Sequence, residues 1–264
     1  MNMATLAPSF GASARSGRFF GLLAVAMALT VVAGFSTQVA MGRSTFASPL
    51  RVHLHAVVFM GWVAIFVTQT WLATRGPIAL HRRLGWLAMG WMVLMVIAAL
   101  NVIVTMARNG TVPFFFTPQQ FLIGDPMTLV GFVGLTVAAV AMRKRTDWHS
   151  RLQICATTML MGPAFGRLLP MPFMTPYSFE IACLAGAVFP LAGIVRDIRR
   201  GGSVHPAWGV GLATLAAVLL LTDAIAYSPV GDRIYAATVA GSPGEKVPGL
   251  AFAPPPLTAL RTGR

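Results

Sequence analysis

Acidic residues are scarce in this chain: seven Asp and Glu in 264 residues, against twenty Lys and Arg, for a formal net charge of +13. Charged residues of both signs make up 10% of it, where a soluble domain carries about 25%. So little charge cannot cover a globular surface with polar groups. An ordinary soluble domain is excluded, and lipid becomes the solvent for most of the surface. The mean hydropathy of +0.72 agrees. Cysteine is almost missing as well. Cys155 and Cys183 stand alone inside apolar runs, with no CxxC or Cys/His cluster, which argues against a disulfide framework and a structural zinc site. The sequence also lacks GxSxG, HExxH and Walker patterns, so nothing supplies an activated nucleophile and a membrane hydrolase is a remote reading. No base-reading module accompanies the positive charge. Its short clusters between apolar runs follow the positive-inside rule and do not predict nucleic acid as a partner.

Apolar runs are what the chain does have. They lie at about 19–39, 53–74, 84–106, 126–142, 150–167, 177–195 and 207–227, each near the twenty residues that cross a bilayer core of roughly 30 Å. The expected fold is an all-α bundle of seven transmembrane helices. Residues 1–18 read as a cytoplasmic N-terminal segment, 19–227 as the membrane domain, and 228–264 as an irregular extracytoplasmic tail. The fifth run holds Gly162-Pro163 and Arg167, so it should be central in the bundle, where neighbours can satisfy freed backbone groups. Arg18, Arg75, Arg82, Arg83, Arg143, Lys144, Arg145, Arg151, Arg196, Arg199 and Arg200 crowd one set of connections. That asymmetry predicts N-in and C-out in a bacterial inner membrane. Trp71, Trp86, Trp148 and Trp208 fall near the same side, as an interfacial belt would.

Counting 1.5 Å per residue places His55 about 30 Å above Arg75, Asn101 about 27 Å above Arg83 and Asp125 about 27 Å above Arg143. Arg167, Glu180 and Asp223 fall in the same outer layer, with His53 at its edge. These seven residues form a candidate outer polar pocket, since an ionisable group below the interface needs a partner or a wet cavity. The competing reading makes them helix ends touching outer headgroups. An Arg167–Glu180 ion pair across a Pro-rich turn is a further expectation. By the same count Cys155 and Cys183 sit about 9 Å apart in depth, beyond the roughly 7 Å that a disulfide allows between Cα atoms. Both should be free thiols.

His81 and His149 each open a helix on the basic side, in the related strings HRRL and HSRL. Two imidazoles from two helices can serve as axial haem ligands, and the arrangement resembles small polytopic b-type cytochromes. The arginines beside both histidines depart from that pattern, and the competing reading is an interfacial imidazole near lipid phosphates. His55, with Asp125 or Glu180, could instead hold a metal ion. The series H-x-H, Gln69, HRRLG, WHSRL and PAFGR resembles a family of uncharacterised bacterial seven-helix inner-membrane proteins over about residues 50–170. Loosely related families are thought to assist respiratory-oxidase assembly. The resemblance implies a redox or haem/metal-handling protein, with haem b or a metal ion as the cofactor. The alternative is a non-enzymatic carrier or receptor that takes a small amphipathic or anionic molecule in the outer pocket.

Overall fold

The computed structural model describes residues 10–44 and 46–254; expectations for 1–9 and 255–264 lie outside the described residues. All regular structure among the described residues is helical. Helix α1 is Phe10–Ala40, α2 Leu50–Arg75, α3 Ile78–Asn109 and α4 Pro118–Ala141. After these come α5 Thr146–Thr158, α6 Gly162–Leu168, α7 Ser178–Ala185, α8 Val188–Arg199, α9 Pro206–Ala226 and α10 Pro229–Val239. Six helical stretches are long and apolar enough to cross a membrane, with α7 and α8 together forming one of them. The protein is therefore a multi-pass membrane protein.

Helix α1 begins at Phe10, inside the segment expected to precede it, because no proline interrupts residues 10–19. Helix α4 begins eight residues before its expected start. Pro118 fills the first turn, where a missing N–H costs nothing, and the Thr117 Oγ1 accepts from the Gln120 backbone N–H at 3.4 Å. Helix α4 is the innermost element, flanked by α5, α9 and α3. Phe132, Leu135 and Ala139 on α4 pack with Met95 of α3, Leu152 of α5 and Trp208 of α9 in one core.

The stretch expected as a fifth span is two helices. Pro163 has no N–H to continue the ladder. Ahead of it Met159, Leu160 and Met161 donate to Ala156, Thr157 and Thr158, three residues back, at 3.0–3.1 Å. The chain tightens there and starts again as α6. Its two ends nevertheless touch α1 far apart. The Arg151 guanidinium lies 5.7 Å from the Phe20 ring centre, and that of Arg167 lies 4.2 Å from Phe35. Those two phenylalanines are fifteen residues apart, about 22 Å along a helix.

Two further expectations are corrected. Trp208 is no interfacial belt residue but is fully buried. It stacks on Phe20 at 6.4 Å, donates its indole N–H to Asp197 Oδ2 at 2.9 Å, and leaves room on its other side only for Gly193. The expected irregular tail is folded through residue 246. Helix α10 and a 3-10 turn at Pro243–Lys246 return onto α3 and α4, burying Tyr235 and Val239. Tyr235 donates its hydroxyl to the Val247 carbonyl at 3.0 Å, and Arg108 of α3 donates to the Thr238 carbonyl at 2.6 Å.

Candidate functional site

The polar side chains gather at two opposite ends of the bundle. At the basic end, the start of α3 meets the start of α5 and brings His81 and His149 together, with ring centres 6.3 Å apart and ring planes nearly perpendicular. The His81 Nδ1 lies 3.2 Å from the Gln69 carbonyl, and the His149 Nδ1 lies 2.8 Å from the Ala139 carbonyl. A carbonyl can only accept, so each Nδ1 carries the proton. In the neutral ring this leaves the lone pair on Nε2. Metal-ligating histidines are oriented in this way, the second nitrogen donating to a backbone carbonyl. Beside the pair, the amide oxygens of Gln69 and of Gln153, one turn beyond His149, are buried without a hydrogen-bond partner.

Around the same end runs a charged rim. Asp197 accepts from Arg151 at 3.2 Å and lies 3.6 Å from Arg196. It also receives the indole N–H of Trp208 and the His205 backbone N–H at 3.3 Å. His205 caps α9 by accepting the Ala207 N–H at its Nδ1 (3.2 Å). Its Nε2 therefore donates to Asp147 Oδ2, 2.9 Å away. That hydrogen bond is the first cause holding the Asp147 carboxyl below its ordinary pKa.

At the opposite end, the expected outer layer forms in part. Gln120 of α4 is the residue that organises it. Its amide donates to Glu180 Oε1 on α7 at 2.5 Å and to Asp223 Oδ1 on α9 at 3.0 Å. One turn-mate, Gln119, donates to the Ala226 carbonyl at 2.5 Å and to Asp232 on α10 at 2.9 Å. The two glutamines thus tie α4 to three other helices. The Glu180 Oε2 is buried with no partner. His55, Arg167 and Asp125 form a second group, with Arg167 within electrostatic reach of both others. Gln38 of α1 joins it by donating to the Arg167 carbonyl at 3.0 Å.

Several sequence expectations fail here. Asn101 is exposed on the outer face of α3. The buried stripe of that helix includes Ala99 and Ile103, and a residue two positions from each points about 200° away from them. The Arg167–Glu180 ion pair does not form. Arg167 donates to the Pro163 carbonyl at 2.8 Å and covers Phe35, while Glu180 is engaged by Gln120. His53 sits at the edge, its Nε2 3.1 Å from the Phe46 carbonyl, and His55 stacks on Phe59 at 4.3 Å. Among the described residues no three His, Cys, Asp or Glu side chains converge to hold a metal. Cys155 and Cys183 are free, buried thiols. The sequence reading missed Gln119 and Gln120, although the Thr-Pro pair ahead of them is a helix-start signal that places both on the first turn.

No family, curated protein or solved structure matches this chain.

Proposed function

We propose that the protein is a haem- or metal-handling membrane protein in which His81 and His149 are the paired ligands. One observation carries this reading: two imidazoles from different helices lie edge to face with centres 6.3 Å apart, each held through Nδ1 by a backbone carbonyl so that its Nε2 keeps the lone pair. Two protein ligands suit a metal that brings its other ligands with it, as haem iron does. They do not suit a structural zinc, which takes four. Haem iron between two imidazoles would supply one-electron transfer. The protein's own contribution is to fix both tautomers, set the ring separation, and surround the pair with the amides of Gln69 and Gln153. His55 has no part in the site.

This reading puts the basic end in the cytoplasm of a bacterium, with the protein in the inner membrane, as the positive-inside rule requires. It counts 150–167 as a seventh, broken crossing, supported by the contacts of Arg151 and Arg167 with opposite stretches of α1. The test is a visible spectrum and metal analysis of detergent-purified protein from haem-replete cells. The wild type should show a Soret band or a stoichiometric bound metal, and His81→Ala and His149→Ala should each lose it. A wild type with neither haem nor metal would sink the proposal.

A further inference from the structure

At the basic end, the span formed by α7 and α8 carries a second feature that the imidazole pair does not use. Leu184, Val188, Leu191 and Val195 recur at steps of four, three and four residues, so they share one helical face. All four are exposed, at 45–52%. With Phe19 of α1 they line an open groove of about 820 Å³. From Leu184 to Val195 this stripe runs about 16 Å, close to one leaflet of a hydrocarbon core of roughly 30 Å. The next step of four reaches Arg199. The groove ends in Arg196, Arg199 and Arg200.

Beyond that end lies a second cavity of about 270 Å³, which shares Arg196 and Arg200 with the groove and adds Arg151, Ser203 and His205. Four arginines line the groove end and this cavity, with the carboxylate of Asp197 between Arg151 and Arg196 and that of Asp147 on His205. A formal excess of two positive charges remains. Arg196 is held over the Phe19 ring at 4.5 Å, while Arg199 and Arg200 are exposed. Guanidinium forks match phosphate oxygens in pairs. An open apolar groove one leaflet long that ends at a cluster of such forks matches an acyl chain with an anionic head group.

We infer that the α8 groove and its arginine end are a seat for an acidic phospholipid of the bilayer, of the phosphatidylglycerol class. One acyl chain lies along Leu184–Val195 and the phosphate sits between Arg199 and Arg200. A phosphatidylcholine has the same chains, but its ammonium group meets the surplus positive charge and is rejected. This seat is separate from the His81–His149 pair and stands whether or not that pair binds a metal.

The experiment is native mass spectrometry of the full chain in detergent, titrated with an equal mixture of phosphatidylglycerol and phosphatidylcholine. The wild type should take up the acidic lipid about thirtyfold in preference, from about 1 kcal/mol for each of Arg199 and Arg200 at a membrane surface. Arg199→Gln with Arg200→Gln should bring the two lipids level. Leu191→Trp should lower uptake of the acidic lipid with every arginine in place. All three positions are exposed, and thermal unfolding checks that the variants stay folded. Equal uptake by the wild type overturns the inference without any variant. So does unchanged uptake by Leu191→Trp, or an equal loss in Arg82→Gln with Arg83→Gln, which would reduce the effect to overall charge. Displacement of the lipid by excess inorganic phosphate would overturn it in favour of a free-phosphate site.

Discussion

The two ends of the bundle solve the same problem with different chemistry. At the basic end, Arg151 and Arg196 share one carboxylate and lean on the rings of Phe19, Phe20 and Trp208. At the other, two neutral amides in one turn of α4 hold Glu180, Asp223 and Asp232. Losing one member has unequal consequences. Removing a carboxylate from between two half-buried guanidiniums leaves charge without a counter-charge. Removing an amide leaves carboxyl groups short of a donor, and these can take up a proton instead. The basic end should therefore be brittle and the acidic end forgiving.

Asp197→Ala gives that comparison its sharpest edge. Asp197 is 8% exposed, and breaking a buried pair from one side costs about 3–5 kcal/mol. Thermal unfolding in detergent should fall by many degrees, and Arg151→Met combined with it should recover part of the loss. A drop no larger than that of a surface substitution would mean that the arginines reach water when freed. Gln120→Leu is the matching change at the acidic end. It removes the donor to both Glu180 and Asp223, for which about 1–3 kcal/mol is expected. Were Gln120→Leu to cost more than Asp197→Ala, the contrast between the ends would be reversed. The smallest effect belongs to Asp147→Asn. The folded state holds the Asp147 carboxyl below its ordinary value, so its contribution is present above the usual carboxylate range, near pH 4, and is lost as pH falls through the folded value. Asp147 is 53% exposed, and solvent screening keeps this slight. The variant should flatten the acid limb of a stability-versus-pH curve and leave the neutral range alone; an unchanged acid limb would remove His205–Asp147 from the account.

Much of the fold was legible from the residues, because burial in lipid requires long apolar runs and little else. The errors fall where a polar or small residue was read by type without regard to its neighbours. Gln119 and Gln120 lie ahead of the apolar run at 126–142, yet Thr117-Pro118 starts a helix that carries them into the interior. Asn101 looked buried by depth, but depth says nothing about rotation around a helix, and the Ala99–Ile103 stripe turns it outward. Trp208 looked interfacial until Gly193 and Asp197, from another helix, supplied the space and the acceptor that bury an indole.

The sequence by itself determined that this is a multi-pass helical membrane protein with one basic end and few acids to spare, since hydropathy and charge are properties of each segment taken alone. The tertiary structure alone decided which polar groups meet: that His81 and His149 lie edge to face with both Nδ1 atoms engaged, that one glutamine joins two carboxylates, and that residues 229–246 fold back onto α3 and α4. Each of those depends on the rotation and contact of helices distant in the chain, and spacing along one helix carries no information about the face its partner presents.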